Sequence, residues 1–175
     1  MDGERWELLY DLHGDALRVR ETQKWSFDRP GFGFPPEPLL FGSDEWWAAL
    51  NTGEIETREE VGSIAQPVRR DSYGDSAAFE VRSSDGAVTT WPFLGGDERL
   101  YVEGLRIRIR YALLERKDDA PIGLDRIAKV VVQIWIESSS EQAAHHRAEL
   151  VRRRHAHDAA SPAQPFSPWD RPADE

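Results

Sequence analysis

Residues 101–111, YVEGLRIRIRY, set apolar side chains and arginines in strict alternation. A strand turns successive side chains to opposite faces. Arg106, Arg108 and Arg110 therefore share one face, and Leu105, Ile107 and Ile109 the other. A row of guanidinium groups has two uses. On the outward face of a small barrel it neutralises the phosphates of a single nucleic-acid strand while aromatic rings stack the bases. Arg82, Trp91, Tyr101 and Trp135 are the residues that would complete such a site. The plainer use is structural: arginines pair across strands with carboxylates such as Glu80, and their stems cover apolar surface.

Other chemistry-bearing residues form weaker patterns. His145-His146 and His155-x-His157 fall in a helix-permissive segment. Adjacent helical residues point about 100° apart, whereas zinc ligands on a helix want a spacing of i, i+4. No metal site is expected. Asp11 and Asp15 flank a turn, and Asp118-Asp119 occupy another. Acid–base catalysis needs two carboxyls held in a cleft with their pKa values pushed apart, and exposed turns do not provide that. FGSDE and VGSIA each contain Gly-Ser but lack the Gly-x-Ser-x-Gly elbow. PGFGF does not lie between a strand and a helix, as a phosphate loop would. No catalytic residue and no cofactor are expected. An enzyme built from scattered residues would have its site in the aromatic loop from Phe32 to Phe41.

The bulk properties narrow the choice. The chain has 175 residues, enough for one domain with a real core. Its net charge is -10 at pH 7, which repels phosphate backbones and disfavours nucleic acid as a partner. There is no cysteine, so disulfide scaffolds, thiol catalysis and cysteine-held metals are excluded. MDGERWELLY lacks the basic start and apolar run of a signal peptide. No apolar segment approaches the roughly 20 residues that cross a bilayer. A cytoplasmic location without membrane contact is the expectation.

The elements that position the arginines read as follows. A single β-rich domain spans residues 1–137. It opens with a hairpin over residues 5–25, turning at His13-Gly14-Asp15, in which Leu17 and Val19 alternate with charges. The proline-rich aromatic loop of residues 30–42 carries Phe32, Phe34 and Phe41 and is expected to pack down on the body. A short helix at 43–52 is well punctuated: Ser43 caps it, Asp44 and Glu45 suit its positive end, and Gly53 stops it. Residues 54–137 are entirely β, with Gly62 and Pro67 interrupting the first strand. A hairpin about Asp85-Gly86 follows, with the positive φ angles of a primed turn. The last strand, AKVVVQIWI, is apolar on both faces and so central. Beyond it come a C-terminal helix over 138–158 and a disordered proline-rich tail over 159–175.

The order of these features resembles an OB-fold: a glycine-containing strand, EVGSIAQPV; a hairpin, FEVRSSDGAVTTW; the alternating VEGLRIRIRY; and the β-branched AKVVVQIWI. The resemblance covers residues 54–137 and departs at LGGDE, too short for the helix that OB-folds often place between their third and fourth strands. Two architectures follow: a small antiparallel OB-like β-barrel, or a strongly bent antiparallel sheet in an α+β fold. The function expected is non-enzymatic binding of another protein. Single-stranded nucleic acid held by Arg106, Arg108, Arg110 and Arg82 with Trp91 and Trp135 is the alternative. In the tail, Phe166 and Trp169 are candidates for docking into a partner's groove.

Overall fold

The alternating segments pair into one antiparallel sheet. The computed structural model describes residues 6–29, 31–70, 77–95, 97–117 and 125–137. The elements are β1 (Trp6–Asp11), α1 (Ala16–Asp28), α2 (Asp44–Thr52), β2 (Thr57–Arg70), β3 (Ala77–Ser83), β4 (Val88–Pro92), β5 (Arg106–Glu115) and β6 (Ile127–Glu137). The chain divides into two units, Met1–Ser139 and Ser140–Glu175, and the described residues lie in the first. The expected C-terminal helix and tail, with Phe166, Trp169 and the four histidines from His145 to His157, lie outside the described residues.

The six strands run in the order β1-β6-β5-β2-β3-β4, with β1 and β4 as free edges. The sheet is open, so the bent α+β sheet is the architecture found and the barrel is not. Closure requires the two edge strands to pair. Instead β5 returns to the middle of the sheet, against β2, and β1 takes the far side of β6.

The bend originates in β2. Its first half, from Thr57 to Ser63, pairs with β5, and its second half, from Gly62 to Arg70, with β3. Gly62 and Ser63 alone are paired on both sides. The absence of a side chain at Gly62 permits this crossing: an added Cβ would lie 2.4 Å from the Arg82 carbonyl oxygen and 2.7 Å from Val81 Cγ1. Pro67 falls where the register with β3 shifts, between Gln66 and Arg69, so its missing N–H breaks no regular ladder. The segment is thus one continuous strand rather than an interrupted one.

The N-terminal hairpin is replaced by a strand and a helix. β1 forms, but His13-Gly14 sits in a 3₁₀ turn and Asp15 caps α1, its carboxylate accepting the Arg18 N–H at 3.0 Å. The alternation of Leu17 and Val19 with charged residues is incidental. Leu17 is exposed, Val19 is half-buried, and Ala16, Leu17, Arg18, Arg20, Glu21, Gln23 and Lys24 all favour helix. α2 forms as punctuated, with Ser43 Oγ accepting the Trp46 N–H and Gly53 left-handed at φ 82°. At the β3–β4 hairpin only Gly86 takes a positive φ, so the turn is not of the primed type.

The aromatic loop packs down in part. Phe34 stacks on Phe41, Phe41 meets Trp46, and Trp46 meets Trp47, with centroid separations of 4.7–5.5 Å. Gln23 Nε2 holds the Phe41 carbonyl at 2.8 Å, while Phe32 remains exposed. This aromatic run joins the same buried cluster as Ile107, Ile109, Ile134, Ile136, Phe79 and Trp91 from the sheet. β6 is central, as its doubly apolar sequence requires, and Val130, Val132, Ile134 and Ile136 are all buried.

Candidate partner-binding face

Register places the arginine row in the middle of the sheet's outer face. Arg108 lies between Val61 on β2 and Trp135 on β6, and Trp135 in turn pairs with Leu8 on β1. These side chains form one line across four strands. Arg110 lies between Glu59 and Gln133, and Arg106 opposite Ser63, beyond which stands Arg82. Leu8 is 48% exposed and Val61 38% exposed, and Arg108 and Trp135 between them are half-buried. Exposure ends beyond Arg110, where Ala112 on the same strand face is fully buried.

The three arginines differ in what they meet. Arg106 pairs with Glu137 at 3.7 Å and lies 5.7 Å from the centre of the Trp6 ring. Arg108 sits closer over that ring, at 4.5 Å. Neither Arg108 nor Arg110 forms an ion pair among the described residues. The Nε of Arg108 is buried and has no hydrogen-bond partner. A buried donor without an acceptor costs on the order of 1–3 kcal/mol, more when charged. The cation–π contact with Trp6 offsets part of this, on the order of 0.5–2 kcal/mol.

Five of the six residues expected to bind are together here: Arg82, Arg106, Arg108, Arg110 and Trp135. Trp91 is not. It pairs with Phe79 on the opposite face, is 2% exposed, and packs on Tyr111 at 5.0 Å. It has no surface to offer a partner. Tyr101 is likewise buried, against Phe79 and Phe93, and desolvation pushes its hydroxyl up to about 12. Trp6, Leu8 and Val61 were not singled out from the sequence, and each belongs to the face. The WELL alternation in β1 carries the signal for Trp6 and Leu8, but only the pairing of β1 with β6 brings them to the arginines.

Elsewhere the surface offers less. α1 exposes Leu17, Trp25 and Phe27, and the following loop Phe32; the cation beside them, Lys117, is already engaged by the Trp25 and Arg29 carbonyls. The Phe32–Phe41 loop has one ionisable side chain, Glu37, and it is exposed, so a catalytic cluster there has no basis. Among the described residues no group of three or more His, Asp or Glu side chains is arranged to hold a metal.

A family model described as immunity protein RhsI2 matches residues 5–137. The chain belongs to that family. The match spans both helices and all six strands, from the residue before β1 to the last of β6. No curated protein matches the chain. The description, an immunity protein, fits the expectation of a chain that binds another protein. The match excludes the histidine-bearing segment and the tail.

Proposed function

We propose that this RhsI2-family chain binds a protein toxin and blocks it, docking through the outer face of the sheet around Arg108. The observation that carries the reading is the line Leu8, Trp135, Arg108, Val61. Protein interfaces are enriched in Trp and Arg at their centres, with apolar contacts that exclude water around them. The line crosses four strands and the arginine row five residues, a patch of about 14 Å by 14 Å at ordinary strand spacings. That is roughly 200 Å², against about 800 Å² per partner in a standard interface. The patch therefore suits the centre of an interface, and Arg82 and Val88 extend it towards β4. The acidity of the chain draws a basic partner at long range.

Single-stranded nucleic acid has one observation in its favour, the absence of ion pairs at Arg108 and Arg110 among the described residues. Against it, Trp91 and Tyr101 are both buried, so two of the three rings that would stack bases are taken. The test is co-expression with an Rhs toxin domain as the candidate partner. Wild type restores growth and co-purifies with the toxin domain. Leu8→Glu with Val61→Glu, both at exposed positions, abolishes both while leaving the melting temperature within about 2 °C. Rescue by the double variant equal to wild type would move the interface elsewhere.

A further inference from the structure

We propose that Arg108 is the anchor of this interface and takes a carboxylate side chain of the toxin domain; the proposal rests on the toxin-binding reading above. Three observations converge on Arg108. Its Nε is buried with no acceptor, so one donor of the guanidinium is already out of water and unsatisfied. Its guanidinium carbon lies 4.5 Å from the centre of the Trp6 ring, a contact that restrains where the guanidinium can sit. Its cross-strand neighbours Val61 and Trp135, with Leu8 one strand further, are apolar, so a covering partner would dry the site.

Each point favours a carboxylate. Guanidinium and carboxylate match as planar forks, and the bond strengthens as water leaves. Pre-orientation by the Trp6 ring reduces the freedom lost on binding. A single Asp or Glu on a protein meets one local charge, whereas a nucleic acid brings a run of phosphates against a chain of net charge -10. Arg106 does not compete for the role, because Glu137 already pairs with it. Arg110 lies beside Glu59 in register.

The test measures affinity between the full chain and the purified toxin domain by calorimetry, for wild type, Arg108→Met and Arg108→Lys. Methionine keeps an apolar stem over Trp6, and circular dichroism checks the fold of each variant. Arg108→Met is expected to weaken binding at least about 30-fold, chiefly through faster dissociation. Lysine, a point charge without Nε, is expected to recover less than about a tenth of the lost affinity. An Asp/Glu→Ala scan of the toxin domain is expected to yield one carboxylate whose loss adds nothing once Arg108→Met is present. Wild-type binding with Arg108→Met within about threefold of it overturns the anchor and leaves the toxin reading standing. A scan in which no carboxylate couples to Arg108 does the same. Failure of wild type to bind the toxin domain removes both. Salt-sensitive binding of a single-stranded oligonucleotide that Arg108→Met abolishes would reassign Arg108 to phosphate.

Discussion

The hydroxyl of Ser26, inside α1, accepts the backbone N–H of Phe34 at 3.0 Å while donating to the Thr22 carbonyl at 2.9 Å. It is the only buried residue of the helix, and it ties the aromatic loop to α1. Ser26→Ala leaves the Phe34 N–H without an acceptor. The expected loss is about 1–3 kcal/mol, read as a lower urea midpoint with an unchanged slope.

Gly62 is where two strands use one segment of β2. Gly62→Ala drives a Cβ into the Arg82 carbonyl, which is backbone and cannot swing aside. A cost of about 1–3 kcal/mol is expected from forced displacement of β3. Gly14→Ala is the matched control: nothing lies within 4 Å of its added Cβ, and its melting temperature should stay near that of wild type.

Tyr101 makes stability depend on alkaline pH. Its hydroxyl is buried without a partner, and desolvation raises its pKa from 10.0 to about 12. The unfolded chain loses this proton first, at about pH 10. The contribution of Tyr101 is therefore fully present below pH 10 and is lost as pH rises towards 12. The integrated loss is on the order of 2–3 kcal/mol, at 1.36 kcal/mol per pKa unit. Tyr101→Phe sacrifices no hydrogen bond and should be near neutral at pH 7. Unfolding curves at pH 9 and pH 11.5 check this: the variant should lose less stability than wild type across that interval.

What was legible in the sequence was local. α2 could be bounded because Ser43, Asp44, Glu45 and Gly53 each act within one helical turn. β6 announced its central place by carrying apolar residues on both faces. The arginine face was legible because strand alternation is a property of one segment. α1 was missed because two apolar residues at i and i+2 imitate a strand, and the Asp15 cap that decides for helix was read as part of a turn. Trp91, a candidate for stacking bases, is set by the hairpin opposite Phe79, on the side the apolar alternation already marks as buried. The open sheet was beyond reach. Whether β4 pairs with β5 or leaves it to β2 depends on contacts far apart in the chain, and no single segment carries that information. The same holds for Trp6, which reaches Arg108 only through the β1–β6 pairing.

That pairing has a consequence for how the protein is made. Of the described strands β1 is synthesised first and β6 last, yet β6 is the strand with which β1 pairs, with Trp6 opposite Glu137. Contacts so distant in sequence form late, after the intervening loop has been closed. A nascent chain lacking β6 carries Arg108 but has no sheet on which to place the Trp6 ring beneath it. The Arg108–Trp6 contact thus arises only once β6 is in place, so that a half-made or clipped copy would lack the geometry on which the proposed interface rests.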